Sequence, residues 1–260
     1  MDLSGLRLTF NDDFETGVLD DRNWVDHYLP QWTSPDRSAA RYRVDADGLT
    51  LLIEADQPAW RREDGGMRVS NLQTGSRSGP VGSRDGQHRH TDGLAVRTAV
   101  PERRLWTPRR GAVEVTAAAS PDSCCMLGIW LVGFEDRPDQ SGEVCIAELF
   151  GNLRAPRRST VRAGVKAHHD PRLATDMVDT ELPIDTVELH SYAARWDADG
   201  IRIFVDDQLL RELPQAVDYP MQLMLDLFEF RPSEEVDAAE YPKTARIRSV
   251  RGYEPDNNLG

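Results

Sequence analysis

Short runs in which apolar and polar residues alternate return along almost the whole chain, each closed by a turn signal, and this rhythm narrows the fold more than any other feature. A period of two is what a half-buried strand requires, because successive side chains point to opposite faces. Leu6 to Phe10 alternates and runs into a turn over Asp12 to Gly17. Ala40 to Val44 alternates, Asp45-Ala-Asp-Gly48 turns, and Leu49 to Ile53 returns, a hairpin with an Asp-Gly signal. Further runs cover Gly111 to Ala117, Met126 to Val132, Glu143 to Phe150 and Val161 to Ala167. They continue over His190 to Trp196, Ile201 to Val205, Met221 to Phe228 and Ala245 to Tyr253, with Asp197-Ala-Asp-Gly200 as a second hairpin turn. So many short strands predict an all-β fold, a two-sheet antiparallel β-sandwich. Helix is scarce, with two turns expected at Ser233 to Glu240.

At 260 residues the chain has length enough for two small domains, but sandwiches reach this size as one unit. No repeat or low-complexity linker divides it, so one domain over 1–260 is expected. The segment Arg61 to Asp92 is rich in Gly, Ser and Arg and shows little periodicity. It reads as a long loop whose Gln87-His-Arg-His90 end either reaches over a binding face or stays solvated. The tail from Glu254 to Gly260 is expected to fray.

The net charge of −13 repels phosphate backbones and anionic membrane surfaces, so neither nucleic acid nor membrane is an expected partner, whereas a neutral glycan is indifferent to that field. No run approaches the roughly 20 apolar residues that a bilayer span needs. Met1 to Phe10 has no apolar leader, which as written predicts a cytoplasmic protein, although a trimmed secreted form would look the same. The three cysteines are Cys124, Cys125 and Cys145; the first two are adjacent, where a bridge is strained, so reduced thiols are expected. Nothing in the spacing of Cys or His predicts a metal or another cofactor.

The chemistry concentrates in Ser141-Gly-Glu-Val-Cys-Ile-Ala-Glu-Leu-Phe-Gly151. In a regular strand Glu143 and Cys145 share one face and Val144 and Ile146 the other, while Glu148, five residues beyond Glu143, turns toward the core. One extra residue, a β-bulge at Ile146-Ala147, returns Glu148 to the face of Glu143. Two acids then project into one cleft, with apolar residues behind them. In the neighbouring run Met126, Gly128 and Trp130 share a face opposite the aliphatic Leu127, Ile129 and Leu131, so Trp130 either stacks on a sugar ring or fills the core.

Glu143-Val-Cys-Ile-Ala-Glu148 resembles the Glu-x-Asp-x-x-Glu signature of the laminarinase- and lichenase-like members of glycoside hydrolase family 16. The resemblance extends in order along nearly the full chain. It takes in Phe10 to Phe14 with Leu19 to Trp24, Met126 to Gly133, His190 to Trp196, Ile201 to Asp207 and Met221 to Leu227. It implies a concanavalin A-like jelly roll that cleaves polysaccharide or oligosaccharide by retaining double displacement. The implied endo-acting substrate is β-glucan-like, with β-1,3 or β-1,3-1,4 linkages, and galactans stay open. Glu143 matches the nucleophile and Glu148 the general acid/base, which a neighbouring carboxylate and partial burial would keep protonated. Cys145 replaces the family's middle Asp, leaving two acids where the family has three. That substitution suits either an altered catalytic site or a lectin-like binding protein on the same fold.

Other positions follow from the same match. Met126 stands where the family often has a tryptophan. Tyr28-Leu-Pro-Gln-Trp32 sits in a loop where Trp32 either lines a subsite or caps the sandwich edge. His168 and His169 are candidates for a substrate-binding histidine, with Lys166 the alternative positional match. Asp226 matches a family Asn and either reaches the cleft or lies on the surface. Arg248 occupies the place of a calcium-binding Asp, and a guanidinium does not ligate a hard cation, so that metal site is expected to be absent.

Overall fold

The computed structural model describes residues 1–230 and 240–256. The helix expected at Ser233 to Glu240 falls outside them apart from Glu240, and so does the end of the tail.

Two large antiparallel sheets pack face to face. The first runs, in spatial order, β15 (Gln208–Leu213), β14 (Gly200–Val205), β13 (His190–Asp197), β7 (Gly111–Ala118), β17 (Lys243–Pro255), β3 (Gly48–Ile53) and β2 (Arg41–Asp45), with β1 (Leu6–Asp12) also paired to β17. The second runs β10 (Arg154–Ala155), β11 (Arg158–Lys166), β9 (Glu143–Phe150), β8 (Cys125–Gly133), β16 (Met221–Glu229) and β4 (Arg68–Gln73), with β12 (Asp176–Leu182) also on β11. A two-stranded ribbon joins β5 (Gly75–Ser76) to β6 (Arg103–Arg104). The architecture is the two-sheet antiparallel sandwich that the alternation predicts and the jelly roll that the family resemblance implies.

The core lies between the sheets. Leu127, Ile129 and Leu131 of β8 and Leu223, Leu225 and Leu227 of β16 point inward, meeting Val113 and Val115 of β7 and Tyr192 and Trp196 of β13. Burial of each such aliphatic side chain contributes about 1.5–3 kcal/mol. The opposite faces of β8 and β16 are buried as well, under a second apolar cluster that includes Tyr28, Trp32, Trp60, Leu94 and Val96. The second sheet is therefore covered by the first sheet on its inner face and by the chain's own loops over part of its outer face.

One irregularity decides where the acids point. Along β9, Cys145 pairs with Trp130 of β8 and Ala147 with Ile129, so Ile146 has no partner there. Against β11 the register skips at the same place, from Gly164 opposite Cys145 to Arg162 opposite Glu148. The unpaired residue is the bulge expected at Ile146-Ala147. Val144, Ile146, Ala147 and Leu149 all enter the inter-sheet core, which leaves Glu143, Cys145 and Glu148 on the outer face.

Some expectations are corrected. The stretch from 61 to 92 is not one long loop, since it contains β4 and β5. No alternation marks β4 because Val69 to Gln73 are all buried, polar residues included. The edge strands β12 and β15 lack the pattern for the opposite reason: solvent reaches many of their positions, Val178 and Leu209 included, so no consistently buried face sets a period. Glu254 and Pro255 are not frayed but close β17.

Gly164 sits across from the bulge with φ +153, and a Cβ there would lie 1.9 Å from the Asp176 carbonyl oxygen of β12. Gly164→Ala is expected to destabilise the fold by about 1–3 kcal/mol. Thermal and denaturant melts followed by circular dichroism check this.

Candidate active site

The register lays the outer side chains of the second sheet in rows that cross its strands. One row is Gln222, Val132, Glu143, Lys166; the next is Gln73, Met224, Trp130, Cys145, Gly164. A third is Asn71, Asp226, Gly128, Glu148, Arg162. Gly128 leaves a gap in that third row, and the Trp130 indole fills it: a Cβ on Gly128 would lie 2.8 Å from Trp130 Cζ2. The ring therefore lies between Asp226 and Glu148 on the floor of the site.

Glu143 and Glu148 are 1% and 5% exposed, yet neither lacks partners. Lys166 Nζ donates to Glu143 Oε1 at 2.9 Å and to Glu148 Oε1 at 2.7 Å. His168 Nε2 lies 2.8 Å from the other oxygen of Glu143. One carboxylate oxygen of each glutamate and the Cys145 sulfur lie within 4.8 Å of one another. Burial pushes the Glu143 carboxyl up, but the His168 hydrogen bond and the Lys166, His88 and His168 charges outweigh it and bring it down to about 2. Burial, reinforced by Glu148 and Glu143, pushes the Cys145 thiol well up, so it stays neutral and is a poor nucleophile.

Supporting groups fix the approach to β9. The Gly142 N–H donates to the Tyr219 hydroxyl at 2.8 Å, and that hydroxyl donates to Asp170 Oδ2 at 2.9 Å. Asp170 is also held by Arg172. The entry to Glu143 and the turn carrying His168 are thereby tied together. His88 packs its ring edge-on against His168 with centroids 4.8 Å apart, and both residues have left-handed backbones, φ 51 and φ 45. The His88 N–H donates to Glu135, a buried carboxyl that desolvation raises to about 7.

The sequence candidates separate. Glu143, Cys145, Glu148, Trp130 and Asp226 share one face, and His168 touches Glu143 directly. His169 turns away: its ring nitrogen meets the Arg89 carbonyl oxygen at 3.1 Å. Trp32 is corrected. It is fully buried and its indole N–H donates to the Gln87 carbonyl at 2.8 Å, so it pins a loop and presents no open face to a sugar. Asp226 is likewise no surface residue; it is fully buried and accepts from Asn71 Nδ2 at 2.8 Å. Lys166 is more central than its place in the sequence suggested. Its ammonium lies between the two acids. Glu135 and Asn71 carried no signal in the sequence, whereas His88 lies in the segment read as either reaching over a binding face or staying solvated, and its ring meets His168.

His88, Glu143 and His168 offer ligand-type atoms within 4.8 Å of one another. Both Glu143 oxygens are already engaged, one by an ammonium that repels a divalent ion. The cluster fits proton handling and nucleophilic attack better than metal binding.

No protein-family model and no curated protein matches the sequence. Solved structures do. The GlcNAcα1-4Gal-releasing endo-β-galactosidase from Clostridium perfringens is similar with a TM-score of 0.83 and 26% identity, over 97% of this chain and 64% of that one. The non-specific endo-β-1,3(4)-glucanase SCLam, described as a family 16 enzyme, gives a TM-score of 0.68 at 19% identity over 98% and 94%. The laminarinase from Rhodothermus marinus gives 0.65 at 19% over 96% and 97%. The chain has the jelly-roll fold of glycoside hydrolase family 16. It spans 64% of the length of the endo-β-galactosidase. Within the family 16 fold, the outer face that carries Glu143 and Glu148 is also the face that the bulge in β9 equips.

Asp226 gives a test of the site's electrostatics. Burial pushes its carboxyl well up, the Asn71 bond opposing and Glu143 adding to the effect. A raised carboxyl contributes stability that is present below the unfolded pKa and lost as pH rises toward the folded one. Asp226→Asn keeps an acceptor for Asn71 and removes the titration. Its melting temperature is expected to match the parent near pH 4 and to exceed it increasingly above, with a gap of up to about 1.4 kcal/mol per pH unit until the folded-state pKa is passed. Melts across pH 4–8 check this.

Proposed function

We propose that this chain is an endo-acting, retaining glycosidase on a β-linked polysaccharide, with Glu143 as nucleophile and Glu148 as general acid/base. The single observation that carries the proposal is the convergence of the two carboxyl groups, the nearest oxygens lying within 4.8 Å and one Lys166 ammonium reaching both. Retaining enzymes hold their carboxyls about 5–5.5 Å apart, whereas inverting ones leave about 6.5–9.5 Å for a water. Glu143, ionised at neutral pH, attacks the anomeric carbon as Glu148 protonates the departing glycosidic oxygen. A covalent glycosyl-enzyme results. Glu148, now a carboxylate, then takes a proton from water, whose oxygen displaces Glu143 and regenerates both groups. Trp130, buried beneath Lys166 and Phe228, lies beside the pair, and the neutral Cys145 stands between them.

Two substrate groups deserve first trial. SCLam was also solved with a β-glucan oligosaccharide at its active site, which supports β-1,3 and β-1,3-1,4 glucans. The likeness to the endo-β-galactosidase brings β-galactoside-containing glycans forward beside them.

Purified glycans of both kinds, assayed for new reducing ends, test the activity. Glu143→Gln and Glu148→Gln are each expected to lower the rate by about 10²–10⁴-fold. Proton NMR of the first product is expected to show the β anomer before mutarotation. First release of the α anomer, or an undiminished rate in Glu143→Gln, refutes the assigned roles. Glycan binding with no bond cleaved favours a non-catalytic, lectin-like protein.

A further inference from the structure

Arginine supplies nearly all the basic charge of this chain: of 31 basic residues only Lys166 and Lys243 are lysines. Lys243 lies on the other sheet, paired with Asp122. Among the described residues, Lys166 is the cation that meets both candidate catalytic acids. Its Nζ is 2.9 Å from Glu143 Oε1, 2.7 Å from Glu148 Oε1 and 5.1 Å from the centre of the Trp130 ring. An ammonium is a compact charge with three rotatable donors and serves two separate carboxylates while facing an aromatic ring. A guanidinium is a planar fork suited to both oxygens of one carboxylate.

We propose that Lys166 is a positioning residue of this site, whose ammonium ties Glu143 to Glu148, fixes the gap between them and keeps Glu143 negatively charged as the pH falls. The inference rests on the glycosidase reading of the two acids.

The surroundings leave Lys166 as the permanent cation at Glu143. Facing Glu143 are Glu148 and Cys145 from β9, Lys166 from β11 and Asp226 from β16. His168 follows β11, and His88 and Tyr28 come from the covering loops. Burial pushes His88 down to about 3, which leaves it neutral near pH 7, and pushes Asp226 and Cys145 well up, away from their charged forms. Burial works against the charge on Lys166, but Glu143 and the groups around it outweigh burial and raise its affinity for the proton. The ammonium therefore stays charged throughout the working range.

Lys166→Met and Lys166→Arg, with the full chain and a cleaved glycan, test this. In the parent, kcat/KM is expected to show no acid limb above the pH of acid unfolding. In Lys166→Met an acid limb is expected to emerge at least about one pH unit above the pH of acid unfolding, with kcat lowered and KM little changed. Lys166→Arg is expected to restore the acid side but not kcat, because the charge returns without the bridge. Carbon-13 NMR of labelled Glu carboxyls, assigned with Glu143→Gln, is expected to show Glu143 titrating higher in Lys166→Met without any need for turnover. Should that variant fail to fold, Lys166→Gln is read in the same way. A folded variant with no acid limb and the parent's kcat, or an unmoved Glu143 titration, overturns the inference. If the parent cleaves no glycan, the glycosidase reading falls while the NMR titration still decides the role of Lys166.

Discussion

A strand with strict alternation has no means of presenting residues five apart on the same face. In β9 the unpaired Ile146 changes that parity, and most of what the site offers depends on it. Without the extra residue, Glu148 would turn into a core of Leu127, Ile129 and Val161, where an unpaired carboxylate is very costly. With it, Ile146 and Ala147 both pack inward and the acids stand side by side. The neighbouring strand accommodates the distortion through Gly164, where the backbone of β12 leaves no room for a side chain.

Once two acids share a nearly dry surface, the negative charge of Glu143 has to be offset, and the sheet does this from the adjacent strand. Lys166 is placed by register directly across from Glu143, so the cation arrives through the same pairing that places the acid. His168, in the turn that follows, takes the remaining oxygen. The Tyr219–Asp170 bond secures that turn from below. Geometry and charge at the site are thus set by one pair of strands and the turn beyond them.

The sandwich was legible because its central strands bury one face or alternate cleanly, as Leu127, Ile129 and Leu131 do against Met126 and Trp130. The bulge was legible from the spacing of Glu143 and Glu148 together with the aliphatic residues between them. What stayed hidden depended on partners far away in sequence. Ser70, Asn71 and Gln73 look like loop residues until β16 and the covering segments bury them. Trp32 looks like an exposed aromatic until its indole N–H finds the carbonyl of Gln87, 55 residues on. The position of Lys166 within a strand was readable, but its two carboxylate partners arise from a cross-strand register that no local pattern encodes.

The scarcity of lysine has a practical corollary. An amine-selective reagent meets only the N-terminus, Lys166 and Lys243 on this chain, and both side-chain amines are engaged by carboxylates. Acylation and reductive methylation need the free amine, so labelling of Lys166 would mark the loosening of its ties to the two acids, read in a single labelled peptide.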